Sequence, residues 1–418
     1  MDPLIERLKS LGLIQALQVK DNQRVKTAKK LEEILVGQEI VNSLGSCFVT
    51  SSLYPWNYRH GKVVFEKTGS LSLIAEAGRA HALREQDISN LLFLDTETTG
   101  LAGGTGTFAF LVGLGYFAEE GFLLKQFIIR DPTEEPAMLL EVANMFEKFP
   151  GMVSFNGKSF DIPLLKARYI LNRLQSPFED HSHLDLLFLS RKLWKNRLKS
   201  RALQDLEAEI LEIPRTKEEV PGWMIPEIYF DYLRSGNAEP LKGVVYHNGM
   251  DIVSLAALFI YISNSFDQLS GEVKMHPVDY YSVGQLFKDI DLTEIAEKIF
   301  IDCITANTLP SELHITALKT LASMYKQQGR YESALDFWQI ASQMDDFEAS
   351  IELAKYCEHS LRDYSKALLW TETAHSILIK REYHQYQDNQ FLNEIEKRKI
   401  RLHLKAEKGN KNVPAKDT

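Results

Sequence analysis

Two periodicities divide the chain. From Ile88 to about residue 187, short apolar runs such as Leu91-Leu92-Phe93-Leu94 and Met152-Val153-Ser154-Phe155 are separated by turn signals. From about residue 278 onward, apolar residues recur at the three- and four-residue spacing of helices. The first region predicts a strand from Ile88, a hairpin strand over 108–117 and a third strand over 122–130. A helix (134–149), a strand (152–155), a helix (159–172), a strand (183–187) and further helices follow. Three meandering strands and then strand–helix alternation predict an α/β fold, a mixed sheet flanked by helices.

The second region repeats itself. Leu321, Ala322, Tyr325, Gly329, Tyr331, Ala334, Trp338 and Ala341 take the small and large positions of a tetratricopeptide (TPR) helix pair. Leu353, Ala354, Cys357, Tyr364, Ala367, Thr371 and Ala374 repeat them with one inserted residue, and Val283, Gly284, Phe287, Ala296, Phe300 and Cys303 form a weaker copy upstream. Three units are about the minimum that can bury a shared core. The pattern predicts an all-α, TPR-like region over 278–404 that either presents a concave face to a protein partner or braces its neighbour. A polar tail, 405–418, is expected to fray.

At 418 residues, with 44% apolar and 25% charged residues, the chain suits two or three globular domains with full cores. The start, Met-Asp-Pro-Leu-Ile-Glu-Arg, lacks the basic, apolar character of a signal peptide, and the longest mostly apolar run, Val253–Ile262, is too short to span a bilayer. Cys47, Cys303 and Cys357 lie far apart without metal-binding spacing. A cytoplasmic protein with no membrane partner is expected. The net charge of −9 disfavours a tight nonspecific duplex binder while leaving room for a local basic path.

The candidate chemistry lies in four acids. Asp95 and Glu97 end the first strand, and residues i and i+2 of a strand share a face, so two hard oxygen ligands would stand side by side. Neighbouring carboxylates repel, and a cation removes the conflict. Asp161 follows an Asn-Gly turn into the first turn of a helix, where the dipole favours a carboxylate. Asp251 opens a helical stripe of Ile252, Leu255, Ala256 and Phe259 that would pack on the sheet and aim Asp251 at the strand ends. Asp185, after a short strand-like run, reads as a helix cap or as a partner to a metal ligand. Each acid alone is an ordinary strand end or cap; together they would form a carboxylate cage.

Their order, flanking residues and separations resemble the DEDD superfamily of 3′–5′ exonucleases on the RNase H-like fold. The chain is most similar to the bacterial YprB-type RNase H-like proteins, over about residues 88–262. The resemblance rests on Phe93-Leu-Asp-Thr-Glu-Thr-Thr-Gly100, on Phe155-Asn-Gly-Lys-Ser-Phe-Asp-Ile-Pro-Leu-Leu165, and on the stretch from Val220-Pro221-Gly222 through Ile225-Pro226 to His247-Asn248-Gly249-Met250-Asp251. It implies an RNase H-like exonuclease domain over 88–265, with residues 1–87 as an amino-terminal extension packing on it. It also implies that Asp95, Glu97, Asp161 and Asp251 hold two Mg²⁺ or Mn²⁺ ions, the choice that all-oxygen ligands favour. Glu97 counts among the catalytic groups as well. The activity implied is two-metal hydrolysis of phosphodiesters from a 3′ end of single-stranded DNA or RNA. The alternative is a TPR scaffold carrying a weakly active or inactive nucleic-acid-binding domain.

One departure matters. Family members with a histidine base show His-x4-Asp in the last motif and those with tyrosine show Tyr-x3-Asp; here His247 stands four residues before Asp251 and Tyr246 five. Positions i and i+4 share a helix face, which favours His247 as the group that orients or deprotonates the attacking water, provided the helix begins before it. The alternative is a histidine that caps or packs.

Substrate contacts are sought in two places. Arg191 to Arg201 carries six basic residues and no acid, so Lys195, Arg197, Lys199 and Arg201 are candidates for phosphate contacts and Trp194 for base stacking. The competing reading is a solvated helix face with Trp194 in the core. Asn156 and Phe160, beside Asp161, are expected at the terminal nucleotide. Gly100–Gly106 lacks the phosphate-loop lysine and reads as a hairpin turn. Phe108, His60 and the basic run Lys397–Arg401 are expected in structural or solvated roles.

Overall fold

The computed structural model describes residues 28–100, 106–179, 181–213, 220–267, 275–380 and 386–411. The acidic start of the chain, most of the expected glycine-rich turn and the last seven tail residues lie outside them. The chain divides into two compact units, 1–274 and 275–418.

The first unit is built on a seven-stranded sheet. Its strands are β1 (Gly37–Asn42), β2 (Gly45–Pro55), β5 (Leu91–Thr98), β6 (Ala109–Ala118), β7 (Gly121–Ile128), β8 (Gly151–Ser154) and β9 (Ser182–Asp185), in the order β1-β2-β7-β6-β5-β8-β9. A separate ribbon joins β3 (Arg59–His60) to β4 (Val63–Val64). β5 is an interior strand, antiparallel to β6 and parallel to β8. Leu91 to Leu94 are all buried, which explains why this strand reads as a continuous apolar run and not as an alternation.

The amino-terminal segment does more than pack on this domain. β2 pairs with β7 from Phe48 opposite Ile128 to Pro55 opposite Gly121, so residues 37–55 continue the sheet. Without them β7 would present a row of unpaired backbone groups. Arg130, just past β7, fastens the segment by ion pairs to Glu32 (2.6 Å) and Glu39 and is itself held by Glu134 four residues on. The sheet therefore crosses the domain boundary expected at residue 88.

Helices α1 (Glu135–Phe146) and α2 (Asp161–Leu171) make the connections into and out of β8. Glu135, buried at 4% exposure, accepts from Arg168 Nε (2.6 Å) and Nη2 (2.7 Å) and from Asn172 Nδ2 (2.8 Å). Tyr169 adds a bond to the Leu139 carbonyl (2.7 Å). A buried, bidentate pair of this kind fixes geometry more than it adds stability, and here it sets the pose of the helix that begins with Asp161.

Helix α3 (Leu186–Leu193) follows β9, and α4 (Ile225–Ser235) anchors itself by Ile225 and Tyr229, both at most 1% exposed. Tyr229 stacks on Phe110 with ring centroids 4.0 Å apart and donates to the Ile129 carbonyl. Helix α5 (Leu241–Asp267) is longer than its apolar stripe suggests and begins ten residues before Asp251. By length and composition it could cross a membrane, but 72% of its most apolar window is buried inside the protein. It lies on β5 and β6, with Phe259 edge-on to Phe93 at 5.6 Å, and His60 bonds to Ser254 on it at 2.8 Å. His60 is thus a packed histidine. Gly113 of β6 permits the close approach, because a Cβ there would overlap Ile252 Cδ1 and Asn248 Oδ1.

The second unit is helical: α6 (Pro277–Asp289), α7 (Thr293–Ala306), α8 (Ser311–Gln327), α9 (Tyr331–Gln343), α10 (Phe347–Tyr356), α11 (Tyr364–Lys380) and α12 (Tyr386–Lys411). From α7 onward each packs on the helix before it, and the repeat positions Leu321, Ala334, Trp338, Leu353, Ala367 and Ala374 are buried. The last helix runs past Lys405 into the tail that composition sets off as frayed. The reason is Glu358, whose buried carboxylate accepts from Arg398 (2.8 Å), Arg401 (2.9 Å) and Lys405 (2.9 Å). Burial alone would raise this group; the bonds from Arg401 and Lys405 outweigh it and lower the carboxyl to about 2. The basic run ending in Arg401 is therefore partly internal.

Gly113→Ala is expected to lower stability by about 1–3 kcal/mol, since Asn248 is locked by other bonds and cannot yield. Denaturant melts would check this, and unchanged stability would show that α5 does not need the glycine.

Candidate active site

β5 presents Asp95 and Glu97, both half-buried, at its carboxyl end, where a bulge at Glu97/Thr98 shifts the register with β6. β8 then ends in the turn Asn156-Gly157, with Asn156 at φ +67°. Asparagine tolerates that left-handed conformation, and Gly157 is required because a Cβ would overlap Ser154 Oγ. Asp185 at the end of β9 organises this turn. Its Oδ1 accepts from Asn156 N (2.8 Å) and caps α3 through Leu187 N (3.0 Å), while Oδ2 accepts from Lys158 N (3.1 Å). The cap and the support of a functional loop are one device. His183 reinforces it by a 2.7 Å bond to Ser154 Oγ, and burial lowers its imidazole to about 4.

The turn delivers Asp161, 6% exposed, as the first residue of α2. Thr96 donates to its Oδ1 at 2.5 Å, joining β5 to α2. From the other side, Asn248 of α5 donates to Asp95 Oδ2 at 2.8 Å. Asn248 is itself held by Gln126 Nε2, which donates to Asn248 Oδ1 (2.9 Å) and to the Val245 carbonyl (2.7 Å). Thr50 of β2 completes the chain with a 3.3 Å bond to Gln126 Oε1.

Electrostatics ties the four acids to one another. Burial raises Asp95 well above the ordinary carboxylate range, and the charges of Asp251 and Asp161 raise it further. Glu97 is raised by burial, then by Asp95 and Asp161. Asp161 is pushed up to about 6 by burial, against the opposing bond from Thr96. No lysine or arginine figures among the main influences on any of the three. Among the described residues no three Asp, Glu, His or Cys side chains are drawn close enough to grip an ion as they stand. The donor set nevertheless fits one: hard carboxylate oxygens brought together from three elements, β5, α2 and α5, with the charges of neighbouring acids raising Asp95 and Glu97.

Because α5 starts at Leu241, His247 and Asp251 share a helix face, and His247 Nε2 stands 3.6 Å from Asp251 Oδ2. Tyr246, five residues before Asp251, lies near Tyr54 and Tyr58, whose phenols are raised by burial first and then in part by Tyr246.

The expected substrate residues divide. Asn156 is exposed and Phe160 half-buried, both next to Asp161. Lys195 and Lys199 are exposed and Arg197 half-buried. Arg201 turns back on its own loop, donating to the Leu198 and Lys199 carbonyls at 3.1 and 2.9 Å. Trp194 does not offer a stacking face: at 2% exposure it belongs to the core, the more favourable place for so large an apolar side chain. Phe108 packs near Tyr229. Sequence reasoning missed Thr96, Gln126 and Asn248. Thr96 and Asn248 lie inside the motifs, whereas nothing local marks Gln126.

Residues 92–263 match the model of the RNase_H_2 family of the RNase H superfamily. The chain is 33% identical over 338 residues to the YprB protein of Bacillus subtilis, covering 77% of this chain and 78% of that one. A solved structure, the family B DNA polymerase of the archaeon Pyrobaculum calidifontis, matches at 12% identity with a TM-score of 0.34, over 57% of this chain and 29% of that one.

Raised carboxylates make a definite statement about stability. Between the unfolded pKa and the raised folded value the native state holds protons that the unfolded chain has lost, so stability falls as pH rises through that window. In chelator, the protein is expected to melt at a lower temperature at pH 7.5 than at pH 5.5. Adding Mg²⁺ or Mn²⁺ at pH 7.5 should restore the loss, by about 2.7 kcal/mol at 100 times the dissociation constant. Scanning calorimetry would decide, and a melting temperature indifferent to both pH and cation would count against a shared cation site.

Proposed function

Because the chain belongs to the YprB-type proteins and carries an RNase H superfamily domain, we propose that it is a metal-dependent nuclease of the DEDD type, removing nucleotides from the 3′ end of single-stranded DNA or RNA. The observation that carries this reading is the convergence on the end of β5, which bears Asp95 and Glu97, of α2 with Asp161 bonded to Thr96 and of α5 with Asn248 bonded to Asp95 and His247 beside Asp251. Asp95, Glu97, Asp161 and Asp251 would hold the ions. Two bound Mg²⁺ or Mn²⁺ ions would neutralise these acids and supply an acidified water and charge stabilisation at phosphorus.

The chain's own residues do the rest. Thr96 and Asn248 fix the orientation of Asp161 and Asp95, and Asp185 fixes the turn that carries Asp161. His247, beside Asp251, takes a proton from the attacking water. Asn156, Phe160, Lys195 and Lys199 are accessible for nucleotide and phosphate contacts.

The test uses 5′-labelled single-stranded DNA and RNA with Mg²⁺ or Mn²⁺. Stepwise shortening from the 3′ terminus is expected, abolished by Asp95→Asn and slowed about 10²- to 10⁴-fold by His247→Ala, with Tyr246→Phe close to the parent. Full activity in Asp95→Asn, or a loss confined to Tyr246→Phe, would refute the assignment. Equal binding by parent and Asp95→Asn with no product would instead favour the scaffold.

A further inference from the structure

Beside His247 lies a short turn that the carboxylate chemistry does not use. Gly222–Met224 forms one 3₁₀ turn between Pro221, its cap, and Pro226, in the first turn of α4. Gly222 rests against the histidine: a Cβ built on it would stand 3.9 Å from His247 Nε2. Consecutive Cα atoms are 3.8 Å apart, so the side chain of Trp223 begins within one residue of the proposed base. That indole is 71% exposed, more than any other aromatic side chain among the described residues, and Met224 beside it is 36% exposed.

The exposure does not come from a loose segment. Ile225 and Tyr229, immediately downstream, are fully buried, and Met224 N bonds to the Pro221 carbonyl at 2.9 Å. A turn pinned on both sides by proline and anchored by two core side chains leaves an indole in water, where its apolar area gains nothing. A rigid aromatic face loses little entropy on binding, and base-to-aromatic stacking is worth about 1–3 kcal/mol per base whatever the base.

We propose that Trp223 is the stacking platform for a base of the bound single strand next to the scissile phosphodiester, the role that sequence reasoning assigned to the buried Trp194. This rests on the nuclease reading, and it adds that strand contact at this side of the site is sequence-tolerant. The chemistry suits a nucleobase specifically: the neighbouring imidazole and carboxylates mark where the phosphodiester lies, and the base attached to it needs an apolar face within one nucleotide.

Binding is measured without turnover, by fluorescence anisotropy of 5′-fluorescein octamers of thymidylate and of uridylate on full-length Asp95→Asn protein with Mg²⁺. Adding Trp223→Ala should weaken binding roughly 5- to 100-fold, whereas Trp223→Phe should stay within about threefold because the π face survives. Thermal melts should coincide for all three, since the indole supports no packing. Unlabelled octamer should quench tryptophan emission more in the parent than in Trp223→Phe, whose remaining emission comes from the buried Trp194 and Trp338 and the half-buried Trp56 and Trp370. Equal affinities for Ala, Phe and the parent would overturn the stacking role and leave the carboxylate chemistry standing. Failure of the parent itself to bind either octamer would overturn both.

Discussion

The structure turns on the repulsion among carboxylates gathered where β5 ends. Asp161 is buried and Asp95 and Glu97 are half-buried; after burial, the charges of Asp251 and Asp161 raise Asp95, and those of Asp95 and Asp161 raise Glu97. Burial already disfavours the charge on each of the three, and the neighbouring acids add to it at Asp95 and Glu97. Their assembly is unfavourable unless protons or cations balance it, and proteins keep such an arrangement where the imbalance is used. The fold meets the cost with packing. α5 lies along β5 and β6, Arg168 clamps α2 through Glu135, and the apolar run from Leu91 to Leu94 sits in the middle of the sheet.

Precision comes from groups that cannot themselves hold a cation's charge. The relay Thr50–Gln126–Asn248 spans β2, β7 and α5 before reaching Asp95. It explains why the amino-terminal strands belong to the domain: β2 brings Thr50 to Gln126, so a strand three places away in the sheet helps to orient Asp95 on β5. Asp185 plays the matching part on the other side, spending one carboxylate on a helix cap and on two amides of the turn before Asp161. Fully satisfied buried networks of this sort specify a unique arrangement, and the loss of one member leaves the others unpaired.

Most of the sheet was legible because its strands are short apolar runs bounded by turn residues, and β6, β7, β8 and β9 fall within two or three residues of their expected positions. The start of α5 was not, since Leu241 to Met250 mixes glycine, asparagine, histidine and tyrosine in a way that hides a helix. It is helical because the sheet buries that face; Val244, Val245, His247 and Asn248 are all under 9% exposed. That displaced start puts His247 on the Asp251 face. Trp194 misled for the converse reason: its basic neighbours Lys195 and Arg197 advertise a surface, while the ring goes inward.

The sequence by itself determined that Asp95 and Glu97 close a strand and that Asp161 opens a helix, together with the mixed sheet and the helical region after residue 278, because local periodicity and turn chemistry act over a few residues. Tertiary structure alone decided which groups hold those acids in place, which tryptophan meets solvent and which strands complete the sheet. Gln126 lies 122 residues from the asparagine it orients, and Thr96 lies 65 from the carboxylate it binds. Contacts across such separations are set by how helices and strands stack, and that depends on the shape of the whole core and not on any short window of sequence.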